Sequence, residues 1–176
     1  DEWLRCDNRD EMESVSVRQK IKEEKNIAII SGAGCPGVAD PGQLLVCIAQ
    51  EMNCIIKPLV GPNAILLALM ASGLNGQHFE FYGYLPVDNE KRAKKIKELT
   101  LDSQKNNSTK IFIETPYRNQ QLLDAFLNNC KPFSRLCIAA NLTSPQEWVK
   151  TKSIAQWKKE MPQLNKQPVI FLLQGQ

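Results

Sequence analysis

The feature that most constrains the fold is a glycine-rich segment placed between a short β-branched run and an apolar helical pattern. Residues 27–30 read Ile-Ala-Ile-Ile, and residues 31–42 contain four of the nine glycines of the chain. The spacing of one helical face follows, with apolar side chains at Leu44, Leu45, Ile48, Ala49 and Met52. Strand, glycine loop and helix in this order make up the repeating unit of α/β sheets. The segment therefore predicts an α/β fold.

Strand and helix patterns alternate along the whole chain. Further strands are predicted at residues 54–60, 79–84, 110–114, 136–140, 148–150 and 168–173. Helices are predicted at residues 14–25, 64–71, 89–99, 117–129 and 154–160. A length of 176 residues fits one domain or two small ones. A boundary fits either at Gly61 and Pro62 or in the region from Gly73 to Gly76. We place it at Gly61 and Pro62, which predicts an N-terminal domain over residues 1–61 and a C-terminal domain over residues 62–176.

Composition narrows the class of protein and of partner. Hydrophobic residues make up 43% of the chain and charged residues 23%, values that exclude disordered and coiled-coil proteins. Lys and Arg number 22 against 19 Asp and Glu, so a formal charge of +3 does not by itself indicate nucleic-acid binding. No apolar stretch approaches the roughly 18 residues of a membrane span, so we expect no membrane partner.

The cysteines and the histidine argue against a metal site. The six cysteines contain no Cys-x-x-Cys pair, and His78 is the only histidine. Cys47, Cys54 and Cys137 lie in apolar surroundings, which is typical of buried free thiols in a reducing compartment. We therefore expect no metal and a cytoplasmic location.

Three loops follow predicted strands and are candidates for ligand binding. They cover residues 31–37, 60–64 and 114–118. In α/β sheets, ligands gather at the carboxyl ends of strands, where loops and helix N-termini present unpaired N–H groups. The first loop has neither the dinucleotide nor the phosphate-loop glycine spacing. Considered alone, it is also consistent with a tight connection between strand and helix.

Five segments, taken in order, resemble the tetrapyrrole methylase superfamily. They read ISGAGCPGVADPG (30–42), PLVGPNA (58–64), SGL (72–74), GYLP (83–86) and IETPYR (113–118). The nearest resemblance within it is to the S-adenosylmethionine-dependent enzymes that methylate a cytidine 2′-hydroxyl of small-subunit ribosomal RNA. The resemblance spans about residues 14–173. It implies a two-domain α/β fold with the methyl donor in a cleft between the domains, and a homodimer.

The resemblance also implies which residues form the site. Contacts to S-adenosylmethionine, largely through backbone, fall on Gly32, Ala33, Gly34, Cys35, Pro36, Gly61, Pro62, Asn63, Ala64, Glu114, Thr115, Asn141, Leu142 and Thr143. Methyl transfer from a sulfonium depends mainly on alignment of donor and acceptor, so no catalytic side chain is assigned. Contacts to RNA are predicted for Arg118 and for a basic helix with Lys91, Arg92, Lys94 and Lys95. A solvated helix face is the alternative for the basic helix.

The chain departs from the superfamily pattern in two ways. Gly32 and Asn141 stand where the family usually has acidic residues. The opening strand and glycine loop of the pattern, and the acidic-Thr-Arg motif after them, are not found, so we expect an incomplete first domain. Two alternatives to RNA methylation therefore stay open. One is a diverged or partial relative that serves as a non-catalytic binding or assembly module, and the other is a methyltransferase for a small tetrapyrrole-like acceptor.

Overall fold

The chain folds as two compact units. The computed structural model describes residue 3, residues 11–32 and residues 34–176, without the side chains of residues 11–13. The first unit covers residues 1–63 and the second covers residues 64–176. The boundary expected from the sequence, between residues 61 and 62, lies two residues before the one between the units.

The described residues of the first unit contain two helices, α1 (Glu11–Lys22) and α2 (Gln43–Glu51). Val17 of α1 and Ile48 of α2 are buried. Arg18 of α1 donates a hydrogen bond of 2.6 Å to the Glu51 carboxylate of α2. This contact lowers the pKa of Glu51 through the hydrogen bond and the charge of Arg18. The helical part of the predicted strand, glycine loop and helix unit is thus present.

The two strands predicted for the first unit are wrong for the residues that the structure describes. Neither residues 27–30 nor residues 54–60 belong to a strand. Ile30 is 70% exposed, Ile55 87% and Val60 106%. A β-branched run indicates a segment suited to burial in a sheet, but a strand forms only where a neighbour pairs with its N–H and C=O groups. The described part of the first unit supplies no such neighbour.

The second unit contains nine elements, each of which the sequence predicts. They are α3 (Ala64–Ser72), β1 (Phe79–Gly83), α4 (Asn89–Asn106), β2 (Thr109–Ile113), α5 (Asn119–Asn129), β3 (Arg135–Ala140), β4 (Trp148–Ser153), α6 (Ile154–Lys159) and β5 (Val169–Gln174). None of the helices in the described residues is long and apolar enough to cross a membrane.

The five strands form one sheet in the order β1-β2-β5-β3-β4. β1 and β2 are parallel, whereas β5 runs antiparallel to both of its neighbours, pairing Ile170 with Ile113 and Val169 with Ala140. The carboxyl ends of β1, β2 and β3 consequently lie at the same edge of the sheet, together with the start of β5. We call this the carboxyl edge.

Both faces of the sheet are covered by apolar side chains. On one face α4, α5 and α6 surround a core in which the Phe112 and Phe126 rings lie 5.3 Å apart and the Phe126 and Phe171 rings 5.8 Å apart. On the other face Ala68 and Leu69 of α3 pack against alternate residues of β2, β3 and β5. Burial of side chains on both faces holds the carboxyl edge in place, because it fixes the strands that end there.

Helix α4 continues seven residues beyond the predicted end at Leu99. Its buried positions are Arg92, Ile96, Leu99, Thr100 and Ser103, the spacing of one helical face. Ser103 Oγ donates to the Ser108 carbonyl (2.5 Å) and accepts from Gly175 N (2.8 Å). A serine that finds both partners inside the core can occupy an apolar face, which is why the polar sequence after Leu101 is helical.

Candidate functional site

The carboxyl edge of the second unit brings together two of the segments predicted to form the site. Glu114 to Arg118 follow β2, and Asn141 to Thr143 follow β3. The strand between them, β5, begins at Val169 and is preceded by a turn that contacts both segments. Three loops that are neighbours in space therefore set the geometry of this part of the edge. They are the loop after β2, the loop after β3 and the turn before β5.

Glu114 and Arg118 form a largely buried ion pair. Glu114 Oε1 accepts hydrogen bonds from Arg118 Nη2 (2.7 Å), Arg118 Nε (3.2 Å) and Thr115 N (2.7 Å). The Glu114 side chain is 1% exposed, whereas that of Arg118 is 30% exposed. An ionised pair with such bonds is fixed in one geometry. Glu114 therefore orients Arg118, whose exposed part is available at the surface.

Asn141 is held in the left-handed region, with φ of 52°. Its backbone N–H donates to the Pro168 carbonyl (3.0 Å), and its side-chain Nδ2 donates to Gln167 Oε1 (3.1 Å). Asn tolerates a positive φ better than most residues. A glutamate at residue 141 would have no side-chain N–H to donate to Gln167 Oε1. The amide at this position thus has a structural partner of its own.

The turn before β5 also contacts the segment after β2. Asn119, at the start of α5, donates from Nδ2 to the Gln167 carbonyl (2.7 Å), and Lys166 N donates to the Pro116 carbonyl (3.1 Å). Asn119 is fully buried, and its Oδ1 has no hydrogen-bond partner within the described part of the chain. Neither Asn119 nor Gln167 was predicted from the sequence. The only sequence signal for Asn119 and Gln167 is that each lies close to the end of a predicted strand.

Leu142 and Thr143 complete the segment after β3. Leu142 packs against the core on the α3 face. Thr143 also has a positive φ, 67°, and its N–H donates to Glu147 Oε2 (2.6 Å). The turn from Asn141 to Glu147 is therefore closed by its own side chains, with Thr143 exposed at its outer end.

In the first unit, the structure brings the two predicted donor-binding segments into contact. Cys35 Sγ lies 3.6 Å from the Pro62 carbonyl and 3.9 Å from the Gly61 carbonyl. Gly34 has φ of 80°, which favours glycine, and Gly32, Pro36, Gly61 and Pro62 are exposed. Ala33 lies outside the described residues. Asn63 ends the first unit and Ala64 begins α3 of the second, so the GPNA segment runs across the boundary.

The basic helix α4 presents lysines on its outer face, whereas Arg92 lies on its buried face. Lys91, Lys94 and Lys97 are exposed, and Lys95 is paired with Glu98 at 2.7 Å. Arg92 is only 6% exposed, and its guanidinium donates to Asn89 Oδ1 and to the Val87 carbonyl. The expectation that Arg92 belongs to an exposed basic face is therefore wrong. Arg92 lies four positions before the buried Ile96, and this spacing places Arg92 on the same, core-facing side of the helix.

Lys110 in β2 is a buried lysine outside the predicted set. Its ammonium pairs with Glu80 at 2.7 Å and with Asp102. Burial lowers the pKa of Lys110, but the bonds to Asp102 and Glu80 outweigh it, so the pKa lies above its usual value. The bond to Lys110 correspondingly lowers the pKa of Asp102. Lys110 is thus a fully charged structural group.

Within the described residues, no three His, Cys, Asp or Glu side chains cluster as metal ligands.

Comparisons with known sequences give consistent relatives, although no family profile matches the chain. The chain is 30% identical over 172 residues to ribosomal RNA small subunit methyltransferase I of Vibrio cholerae, with 96% of the chain and 58% of that protein covered. It is 31% identical over 172 residues to the protein of the same name from Buchnera aphidicola, with 96% and 59% covered. The chain therefore spans less than two thirds of the length of these two relatives.

Solved structures show the same fold. The crystal structure of the methyltransferase CobJ superimposes with a TM-score of 0.60 at 18% identity, covering 96% of the chain and 73% of that protein. The uroporphyrin-III C-methyltransferase of Thermus thermophilus superimposes with a TM-score of 0.52 at 16% identity, covering 93% and 70%. These two structures confirm the fold class expected from the sequence.

Proposed function

We propose that the chain is a member of the tetrapyrrole methylase superfamily, on the branch of the ribosomal RNA small subunit methyltransferase I proteins, and that it transfers a methyl group from S-adenosylmethionine to small-subunit ribosomal RNA. The observation that carries the proposal is the 30% identity over 96% of the chain to the Vibrio cholerae protein. The resemblance of the motifs extends the proposal to a ribose 2′-hydroxyl as the acceptor.

The glycines of the first unit fit a ligand that lies against the backbone. A Cβ added at Gly32, Gly34 or Gly61 would meet no heavy atom within 4 Å, so the backbone there is open. Residues 32–36 and 61–64 would hold S-adenosylmethionine, mainly through N–H and C=O groups. When bound, S-adenosylmethionine supplies a methyl group activated by a sulfonium. The task of these loops is alignment, which is the main requirement of such a transfer.

The residues of the carboxyl edge are proposed as further contacts to the donor. Thr115 and the turn Asn141 to Thr143 offer backbone and side-chain polar groups whose positions are fixed by hydrogen bonds. Glu114 is already engaged by Arg118 and by Thr115 N, so its role in the proposal is to orient Arg118 rather than to accept a proton. Arg118 would contact an RNA phosphate, for which a guanidinium is well suited.

The exposed lysines of α4 support RNA as the acceptor. Lys91, Lys94 and Lys97 recur every three residues and share the outer face of the helix. Lys95 lies over the Tyr82 ring and pairs with Glu98, which leaves it a smaller part in RNA binding. Three exposed cations on one helix can neutralise RNA phosphates, which gives salt-dependent binding.

Methyl transfer from radiolabelled S-adenosylmethionine tests the proposal directly. The acceptors are small ribosomal subunits and naked small-subunit RNA from a strain that lacks the activity, with a small tetrapyrrole as a further acceptor. We expect label in RNA, and mass mapping should place the methyl group on a ribose. Label in the tetrapyrrole alone would overturn the RNA acceptor while leaving the methyltransferase activity in place.

Substitution of open glycines tests the donor site. In Gly32→Val and Gly61→Val the added side chain points into open space, so the fold should persist while the ligand is blocked. We expect calorimetry to show loss of S-adenosylhomocysteine binding in both. Gly76→Val is the matched control, since its added Cβ also meets nothing within 4 Å. Equal binding by all three variants would contradict the proposed donor site.

A second candidate function is a non-catalytic binding or assembly module. It is favoured by Gly32 and Asn141, which place no carboxylate where the superfamily pattern has one. This function requires RNA or donor binding without turnover. Measurable transfer of label at saturating donor would exclude it.

A cytoplasmic homodimer is also part of the proposal. The resemblance implies the dimer, and the free thiols Cys35, Cys47, Cys54, Cys130 and Cys137 of the described region support a reducing compartment. Sedimentation equilibrium should give twice the chain mass of 19.9 kDa. A concentration-independent monomer would contradict the dimer.

A further inference from the structure

The side chain of Gln167 contacts the candidate site without belonging to any segment assigned to it. Gln167 precedes β5 at the carboxyl edge, and its Oε1 accepts from Asn141 Nδ2 at 3.1 Å. Its Nε2 donates to the Gln163 carbonyl at 3.1 Å, which fixes the orientation of the amide. The oxygen is thereby turned toward Asn141.

The backbone around Gln167 is anchored to the other site segment. Its carbonyl accepts from the buried Asn119 Nδ2 at 2.7 Å, and the neighbouring Lys166 N–H donates to the Pro116 carbonyl at 3.1 Å. Pro116 and Asn119 belong to the stretch that begins with Glu114. One residue therefore has its backbone fixed to the segment after β2 and its side chain bonded to the segment after β3.

The backbone conformation of Asn141 is one that residues other than glycine adopt infrequently, although Asn tolerates it better than most. It has φ of 52°, and Thr143 two residues later has φ of 67°. Residues in the left-handed region persist where surrounding contacts determine them. The Gln167 bond and the Asn141 N–H bond to the Pro168 carbonyl are the contacts that do so here.

We infer that Gln167 is a positioning residue, which sets the orientation of the Asn141 to Thr143 turn for donor binding by bonding the Asn141 amide. This inference rests on the proposed function. In this inference the side-chain amides of Asn141 and Gln167 together place the turn. A carboxylate at residue 141 is therefore not required to place the turn.

Three variants of the full 176-residue chain separate the parts of the contact. Gln167→Met removes both polar ends at similar length. Gln167→Glu keeps an oxygen that accepts from Asn141 Nδ2 and loses the bond from Nε2 to the Gln163 carbonyl. Gln163→Ala is the matched control, because Gln163 is exposed and contributes only its backbone carbonyl. Thermal unfolding of each variant shows whether the fold is retained.

Amide hydrogen exchange of the ligand-free protein is the first measurement. We expect Gln167→Met to accelerate exchange of the amides at residues 141–144, and Gln167→Glu and Gln163→Ala to leave it unchanged. Unchanged exchange in Gln167→Met would overturn the inference whether or not the chain binds the donor.

Calorimetry with S-adenosylhomocysteine is the second measurement. We expect Gln167→Met to raise the dissociation constant about fivefold to tenfold, the effect of one hydrogen bond, and Gln167→Glu to restore it. In a double-mutant cycle with Asn141→Gly, the double variant should bind no more weakly than the weaker single variant.

The outcomes distinguish the two proposals. Additive losses, or unchanged affinity in Gln167→Met, would overturn the positioning role while the proposed function stands. A wild-type chain that binds no S-adenosylhomocysteine would contradict the proposed donor site, and hydrogen exchange would still decide whether Gln167 orients the turn.

Discussion

At the residue scale, Gly175 lies directly against the backbone of α4. A Cβ added at Gly175 would lie 2.2 Å from the Thr100 carbonyl oxygen and 3.0 Å from Gln104 N, both backbone atoms of α4. The Gly175 N–H bond to Ser103 Oγ holds the chain at this distance. Backbone atoms of a packed helix have little freedom to move away, so glycine is required here for space.

Gly175→Ala should therefore destabilise the second unit. We expect a loss of about 2 kcal/mol or more in the free energy of unfolding, the usual cost of overpacking a core. Urea unfolding followed by circular dichroism measures it. Gly76→Ala, where an added Cβ meets nothing, should change stability by less than about 1 kcal/mol, and an equal loss in both would contradict the steric explanation.

Two buried thiols make stability depend on pH. Burial raises the pKa of Cys130 and of Cys137 from 9.0 to about 11. Above pH 9 the unfolded chain loses these protons while the folded chain keeps them, so stability falls as pH rises. Between pH 8 and pH 10 we expect a loss of about 1 kcal/mol for each thiol.

Urea unfolding at several pH values tests the thiol effect. Cys137→Ala should reduce the pH dependence in this window, whereas Cys47→Ser, at an exposed position, should not. An identical pH slope in the wild type and in Cys137→Ala would assign the alkaline loss to other groups.

At the scale of elements, the outer face of α4 gives a prediction about RNA binding. Replacing Lys91, Lys94 and Lys97 with Gln removes three exposed cations and leaves the buried face of the helix intact. If these lysines contact phosphates, the slope of log affinity against log salt should fall by about 2 to 3. Filter binding to small-subunit RNA at several salt concentrations measures this slope.

The control for the α4 prediction carries charge changes elsewhere. Lys158 and Lys159 are exposed on α6, and Lys158→Gln with Lys159→Gln alters the net charge by two. An equal change of slope per charge in both sets would mean that total charge, and not the α4 face, determines binding.

The elements also show how far a sequence pattern determines structure. The strands of the second unit were predictable because each apolar run finds paired neighbours, as β5 does between β2 and β3. The same kind of run at residues 54–60 gives no strand, since pairing depends on a partner and not on propensity. The polar stretch after Leu101 was misjudged because the partners of Ser103 come from Ser108 and Gly175, outside its local pattern.

The residues of the candidate site also differ in how far the sequence predicts them. Glu114 and Arg118 could be found from the motif, since their contact joins residues only four positions apart. Arg92 was misplaced because a run of basic residues masks the phase of the helix. Gln167 could not be found at all, because its bond to Asn141 joins residues that are 26 positions apart.

At the scale of the whole molecule, the two units differ in how much core they contain. The second unit buries clusters on both faces of a five-stranded sheet, whereas the described residues of the first bury only two large aliphatic side chains, Val17 and Ile48. Local stability follows buried apolar contacts, so the first unit should open more readily.

Limited proteolysis with trypsin should report this difference. Lys25 is exposed and lies outside helices and strands, whereas Lys110 is buried in β2. Trypsin does not cleave after Lys57, because Pro58 follows it. We expect early cleavage after Lys25 and a resistant product that begins at residue 26, identified by mass spectrometry. Lys25→Gln should remove that product. Early cleavage after Lys110 would contradict the stability assigned to the second unit.

The position of β5 has a consequence for the order of folding during synthesis. β5 comes last in sequence but pairs with both β2 and β3. While the ribosome still holds residues 169–174, the sheet consists of two separate two-stranded ribbons, which are marginally stable alone. Pairings of such long sequence separation also form slowly. The Glu114 and Asn141 segments therefore reach their mutual geometry only after β5 inserts, so a nascent chain acquires the carboxyl edge only once all five strands have been synthesised.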